Sequence, residues 1–553
     1  MEESQIELLS KSNNLQELLQ ILQEFIKNNE TVFTFNELNE RRVILWTSLF
    51  QHVQNKAMEP IHAHCLASLK ILSRDKTDIE NMVCEKWITT LIDKAGLYNF
   101  VSEDDETMIN FNMPPNDIAV EAMKCLCNVA FNSEIVRSIC ASTSIAQGLV
   151  SRLRVYKDIP NKYDITLYDM KLMFILTALR EDLRLKIREE LHGMDYLISC
   201  LNDLVTEASE SLDDVGAASI SCIEDRSSCC LNDNQQAIAC EILKTQFNLI
   251  MHTHDDNISP ENDAMFLKLV LILTTLLNAH CSTTDKLIEL HTNIENVLVS
   301  TPSVYFPYLT PIMSENEKAQ HIYEDRNMDA LQSLIQLLQH KLSMTSNTTS
   351  QSEKLSSILI VLNKGARSCR AQRKYLRQVV LPPLRDVSRP PEQGNTLRNQ
   401  LCRLLTTPIT SVRDLAAEFL FILCKENVGR MVKYTGFGNA AGHFAQKGLM
   451  AGGRGAPYSS SSEDSDTEEY RQARAGIDPV VGCTRPPPSN PFEGMTEEQK
   501  EYEAMKLVNL FDKMVTDGVV KPARIGPDGR PHAVEHVLEF REHANDHAND
   551  MQH

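Results

Sequence analysis

The chain has 553 residues, of which 42% are hydrophobic and 24% charged, and its net charge is -20. That length exceeds what one hydrophobic core can hold, so the chain is an extended array or several domains. The acidic balance excludes nucleic-acid binding as the default, because phosphate contacts need clustered Lys and Arg; it suits a partner carrying basic patches.

The opening MEESQIELLSKSNN has neither the basic start nor the apolar run of a secretory signal. The fifteen cysteines are scattered, with no Cys-x-x-Cys, so they are expected as reduced thiols of a cytoplasmic chain. Apolar residues then recur at helical spacing in HCLASLKILSR, EAMKCLCNVAFNS, YDMKLMFILTALRED, ACEILKTQFNLIM, AMFLKLVLILTTLL, DALQSLIQLLQHKL, KLSSILIVLN and VRDLAAEFLFIL. The longest apolar run, Phe266 to Leu277, is too short to span a bilayer and contains Lys268. The first two segments superpose at an offset of 54 residues, which sets Leu72-Ser73-Arg74 over Leu126-Cys127-Asn128. A recurrence of this length is near the armadillo/HEAT period, in which each repeat buries its apolar face only against its neighbours. The fold class expected is all-α: an armadillo/HEAT-like helical-repeat solenoid over 1–430, with an irregular helical bundle as the alternative. In VRDLAAEFLFIL the residues Val412, Leu415, Ala416, Phe419, Leu420 and Leu423 fall on one stripe, with Ser411 and Asp414 as a capping-box-like start and Gly429 near the stop.

Two stretches break the helical pattern. Residues 203–234 hold eight acidic residues against one base, Arg226, and read as an acidic loop. Only six of the 20 glycines precede residue 426, so the rest of the chain reads as mostly irregular. Residues 431–494 are expected to be a Gly-rich and Ser/acidic linker. Gly436-Phe-Gly438-Asn-Ala-Ala-Gly442 is one residue too long for a dinucleotide loop and follows a helix rather than a strand. It reads instead as tight turns using glycine for positive φ. Beyond the linker, residues 495–516 form an amphipathic helix with a Thr496/Gln499 capping box and a stripe of Ala504, Leu507, Val508, Phe511, Met514 and Val515. A lone amphipathic helix behind a linker docks on something, either its own solenoid or a partner. The tail, 517–553, reads as disordered.

Several segments resemble the synembryn family, also called resistance to inhibitors of cholinesterase. They are KCLCNVAFNS, LPPLRDVSRPPEQGNTLRNQLCRLL, AAEFLFILCKENVGRMVKYTGFGNAAG, KGLMAGGRG, DTEEY and MTEEQKEYEAMKLVNLFDK. The resemblance covers most of residues 60–515; the tail past about Val520 and the acidic loop lie outside it. It implies a chaperone and receptor-independent guanine-nucleotide exchange factor for heterotrimeric G-protein α subunits (Gα), without covalent chemistry or a cofactor. It also implies that the concave solenoid face grips the Gα C-terminal helix, that a neuronal calcium-sensor protein is a partner, and that the protein is cytoplasmic, reaching the cell cortex through Gα. A generic armadillo scaffold or adaptor without exchange activity is the competing reading.

Lys70 and Arg74 share a helix face at i, i+4, and Asn128 lies one repeat on in register with Arg74. Together they could clamp the Gα carboxylate, and the resemblance points to the same positions; local capping or pairing is the alternative. Leu507, Val508, Phe511 and Met514 are the expected contact of the C-terminal helix. Ser460, Ser461 and Ser465 each precede an acidic residue by three places, which suits an acidophilic protein kinase, and the resemblance points to Ser460 and Ser465. Arg367, Arg370, Arg373, Lys374 and Arg377 form the one strongly basic helix face and are the expected dock for the phosphorylated linker. HAVEH, His532 to His536, fits a zinc-peptidase pattern but sits in a Gly/Pro-rich tail and is set aside, as are His62/His64 and His252/His254. Trp46 and Trp87 are expected as core anchors.

Overall fold

The computed structural model describes residues 3–35, 38, 40–97, 113–214, 229–251, 260–314, 318–344, 350–451, 466–484, 494–519, 523–525 and 531–533. The chain divides into two compact units, Met1–Thr484 and Arg485–His553. The first opens with α1 (Glu3–Lys11), α2 (Leu15–Asn28), α3 (Glu40–Gln54), α4 (His62–Leu72), α5 (Ile79–Met82) and α6 (Glu85–Lys94). It continues with α7 (Asn116–Asn132), α8 (Glu134–Ser142), α9 (Ile145–Arg154), α10 (Lys162–Leu179), α11 (Glu181–Leu185) and α12 (Gly193–Asp214). Then come α13 (Asp233–Ile250), α14 (Pro260–Leu277), α15 (Thr284–Ser300), α16 (Asp329–Ser343), α17 (Ser350–Ser368) and α18 (Arg370–Val380). The unit closes with α19 (Leu397–Leu404), α20 (Thr410–Leu423), α21 (Val428–Thr435), α22 (Phe437–Lys447) and α23 (Glu468–Ala473). The second unit holds α24 (Glu497–Thr516). Strands are short and paired in twos; Cys230–Leu231 with His280–Cys281, for example, is a parallel clip.

The long helices of the first unit form a ladder. α4 packs on α7, α7 on α10, α10 on α13, α13 on α15, α15 on α17 and α17 on α20. One continuous hydrophobic cluster runs along it from Ile6 to Phe444, as expected when each repeat buries its apolar face only against the next. Trp46 is fully inside, and Phe50 stacks between it and the half-buried Trp87. Because neighbouring helices need a polar register as well as oil, asparagines tie the rungs. Asn128 of α7 donates to the Lys70 carbonyl and the Ser73 hydroxyl of α4 and its cap. Asn248 of α13 repeats this with the Phe174 carbonyl and Thr177 hydroxyl of α10. In both cases the carbonyl and hydroxyl lie three residues apart.

Arginines close the rungs. The last carbonyls of a helix lack intrahelical partners and carry the negative end of its dipole. Arg137, Arg184 and Arg373 each reach back seven residues to such a carbonyl, of Ala130, Thr177 and Ala366. Deeper in, Arg152 is buried, donating to the Ala95 carbonyl and forming an ion pair with Asp169. Gly148 lets α9 approach the preceding segment, since a Cβ there would collide with the Leu97 carbonyl.

Five sequence expectations need correction; in the tail read as disordered, Ala523–Ile525 and Pro531–Ala533 pair as antiparallel strands. The acidic stretch from residue 203 begins as helix, because α12 runs to Asp214 with Leu204 and Ala208 buried; residues 215–228 lie outside the described residues. The glycine stretch is helical over α22, with Ala440, His443 and Phe444 buried. Among the described glycines from Gly436 to Gly448, only the two at the ends of α22, Gly436 and Gly448, use positive φ. The compact unit accordingly continues past 430 to Thr484. α20 starts at Thr410 after Ile409 with no side-chain cap, and its C-terminal half is buried on all sides, from Phe419 to Leu423, rather than along one stripe.

Candidate functional site

The polar face of the ladder is built where α4, α7 and α10 meet. In α7 the residues Glu121, Lys124 and Asn128 lie at i, i+3 and i+7, so they share one face. Lys70 of α4 and Lys124 each place an ammonium 2.7 Å from a different oxygen of the Glu121 carboxylate. Burial pushes Glu121 up, but the hydrogen bonds and charges of Lys124 and Lys70 outweigh it and hold its carboxyl below the usual carboxylate range. For Lys124, burial lowers and Glu121 raises, and the ammonium ends above its ordinary value. Lys124 and Lys171 of α10 both lie over the Tyr168 ring, at 5.2 and 5.1 Å, so the cationic surface extends to the third rung.

The three clamp residues anticipated from sequence do not all converge. Asn128 touches Lys70 through its carbonyl and Ser73 through its hydroxyl. Arg74 turns instead to the α2–α3 connection, donating to the Glu30 carbonyl at 2.7 Å and lying 5.4 Å from the Phe33 ring centre. Phe33 is 67% exposed, so this pair presents an aromatic ring and a guanidinium at the surface. Sequence reasoning missed Glu121, Lys124, Tyr168 and Lys171. A signal for them exists: EAMKCLCN (121–128) and EILKTQFN (241–248) share Glu-x-x-Lys-x-x-x-Asn, and Lys171 in YDMKLMFI (168–175) occupies the same place as their lysines.

The basic helix face is divided by its contacts. Arg367 pairs with Glu418 and, at 3.7 Å, with Glu426. Arg373 caps α17, as above, and Lys374 pairs with Glu324 at 2.7 Å. Arg377 is buried, its guanidinium 5.7 Å from the Tyr434 ring centre, so it does not belong to an open face. Arg370, at the start of α18, is exposed. Ser460, Ser461 and Ser465 lie outside the described residues. Lys433 and Thr467 hold the chain that follows them: Lys433 pairs with Asp466, and the Thr467 hydroxyl donates to the Leu384 carbonyl.

In the second unit α24 carries the expected capping box of Thr496 and Gln499, and none of its residues is buried. Leu507, Val508 and Phe511 are exposed on it, as are Tyr502, Met505 and Leu510. Of the histidines set aside, His62 is buried with Nε2 against the His52 and Asn55 carbonyls. His252, His254 and residues 534–536 of HAVEH lie outside the described residues. Among the described residues no cluster of His, Cys, Asp and Glu is placed to hold a metal ion, and no helix is long and apolar enough to cross a membrane.

Residues 65–530 match the Ric8 family model, described as guanine nucleotide exchange factor synembryn. Chaperone Ric-8A of Xenopus tropicalis is 38% identical over 517 residues, covering 93% of either chain. Chaperone Ric-8 of Drosophila melanogaster is 36% identical over 566 residues, covering 94% of either chain. Chaperone Ric-8A of Danio rerio is 36% identical over 525 residues, covering 94% of this chain and 93% of that protein.

Proposed function

The chain belongs to the Ric8 (synembryn) family, and from that premise we propose that it is a chaperone and guanine-nucleotide exchange factor for heterotrimeric G-protein α subunits. The ladder's polar face binds the Gα C-terminal helix, and the lysines around Glu121 receive its terminal carboxylate. The observation that carries this reading is the cluster itself: two ammonium groups on adjacent rungs converge on a single carboxylate, a geometry a chain end can share. Arg74 and Phe33 flank it and suit the side chains next to that end.

Exchange needs no covalent step. Gα braces its nucleotide site with its own C-terminal helix, so a partner that binds this helix only when detached favours the nucleotide-free state. The shift is bounded by the difference in affinity for the two states; moving a population from 1:99 to 99:1 takes a preference of roughly 10⁴-fold. Rebinding of GTP reverses it. Holding the loosened α subunit is also what chaperoning requires, and the stripe of α24, with exposed Leu507, Val508 and Phe511 and half-buried Met514, is the second contact that keeps it from unfolding.

The deciding measurement is GDP release from purified Gα, intact or lacking its last residues. Acceleration of the intact form alone is expected. Unchanged release from both would leave a helical scaffold without exchange activity and end this reading.

Regulation follows from the linker. An acidophilic kinase phosphorylates Ser460 and Ser465, and the phosphates dock at Arg370 and Arg367, the latter by exchange with Glu418 and Glu426. Phosphorylation then raises the exchange rate in the wild type and not in Arg367→Ala/Arg370→Ala; equal gains would reject this dock. The protein works in the cytoplasm and, through Gα, at the cell cortex, and a calcium-sensor protein is a further partner; localisation of a tagged full chain with and without Gα, and pulldown by the calcium-loaded sensor, test the two.

A further inference from the structure

Glu121 occupies the seat that the reading above gives to the partner's carboxylate. Its two oxygens are each held by one lysine, Oε2 by Lys70 and Oε1 by Lys124, both at 2.7 Å. A terminal carboxylate has the same two oxygens in the same geometry, so it competes with Glu121 for the two ammonium groups. The side chain is not locked inside: Lys70, Glu121 and Lys124 retain side-chain exposures of 22%, 17% and 27%. Displacing Glu121 means turning its carboxylate out to water, while Asn128 still holds Lys70's rung through its backbone carbonyl.

We propose that Glu121 is an internal competitor for the partner's chain-terminal carboxylate and thereby sets the selectivity of the site. It rests on the reading above and adds to it a specificity-determining residue. Three charges meet there, two positive and one negative. A monovalent anion must displace the glutamate and leave it solvated nearby, so only a ligand with further contacts along the ladder succeeds. Small carboxylates and acidic surface side chains are rejected because they replace one carboxylate with another and gain nothing else. A free chain end continuous with a helix gains the groove as well.

The molecule contains its own control. Glu241 and Lys244 of α13 repeat the Glu121–Lys124 spacing, and they pair at 3.0 Å. The only ammonium paired with Glu241 among the described residues is that of Lys244, so it bridges no two rungs. Removing its charge should leave carboxylate selectivity alone.

The experiment uses the full chain and a fluorescent peptide of the Gα C-terminal helix, prepared as the free acid and as the C-terminal amide, with affinity read by anisotropy. Glu121→Gln keeps the shape and removes the charge. It should tighten the free acid by about 3- to 10-fold, the scale of one partly screened charge contact, and the amide by less than about 2-fold. Glu121→Ala should move in the same direction, and Glu241→Gln should move neither peptide. If Glu121→Gln and Glu121→Ala bind the free acid no tighter than the wild type, or weaken both peptides alike, Glu121 merely positions the lysines and the inference falls alone. If neither peptide binds any of the proteins, the inference falls together with the reading on which it rests.

Discussion

Helices α20 and α24 are both rich in apolar residues and both open on a polar residue, Thr410 and Glu497, yet they are held by opposite means. α20 has no side-chain cap, and it needs none. Phe419, Leu420, Ile422 and Leu423 are fully buried, and α17, α19 and α22 pack around it. α24 has a complete capping box and i, i+3 ion pairs between Glu497 and Lys500 and between Glu503 and Lys506, and buries nothing. Where tertiary packing supplies several kcal/mol per side chain, local signals are dispensable; where it supplies none, caps and ion pairs worth a few tenths to about 1 kcal/mol each decide whether the helix forms.

The comparison breaks first at the core of α20. Phe419→Ala should destabilise the first unit by about 3–5 kcal/mol, the range for truncating a buried aromatic side chain, read as a shift in denaturant midpoint at constant slope. A loss under about 1 kcal/mol would mean that α20 is not held by packing. The next effect is pH-dependent and also belongs to the buried ladder. His291 of α15 is buried, and burial pushes its imidazole down to about 4 even though it bonds the Leu277 backbone. The folded value lies below the unfolded one, near 6.5, so between the two the unfolded chain binds more protons. Stability is therefore full above pH 6.5 and is lost as pH falls towards 4; at pH 5 the loss from this residue is roughly 2 kcal/mol. His291→Asn should flatten that part of the profile, and an unchanged acid limb would show that other groups carry it.

How much of this was legible follows the same division. The ladder helices announce themselves by apolar period, and the 54-residue offset correctly pairs α4 with α7, because repeats that stack in register must carry the same face at the same place. α24 was legible down to Thr496 and Gln499, since a helix that stands by local signals writes them in its sequence. The start of α20 was misread at Ser411 and Asp414 because packing, not capping, sets it. The glycines of α22 misled for a related reason. Gly436 and Gly438 sit against the carbonyls of Val480 and Val481, more than 40 residues on, and that approach is invisible to local rules. At the candidate site, the sequence pointed to Lys70 by its i, i+4 spacing from Arg74 and to Asn128 by the offset. Glu121 was not, because i, i+3 charge pairs are common on solvated helices and only the arrival of Lys70 from another rung makes this one different. Arg377 read as part of a basic face, and only the fold turns it inward onto Tyr434.

The smallest stability effect is expected where the sequence was most legible. Phe511→Ala in α24 removes an apolar side chain that is 45% exposed and packs into no core, so thermal unfolding of the first unit should shift by less than about 1 °C, a change below roughly 0.5 kcal/mol. A globular protein has no use for exposed Leu507, Val508, Leu510 and Phe511 on one helix unless something covers them when it works. The same substitution should therefore lower the yield of folded Gα from co-expression and slow exchange while leaving binding of the C-terminal peptide intact. Separation of those two readouts would make α24 a contact with the body of the α subunit; parallel loss of peptide binding would make it a prop for the ladder, and the contrast with α20 would disappear.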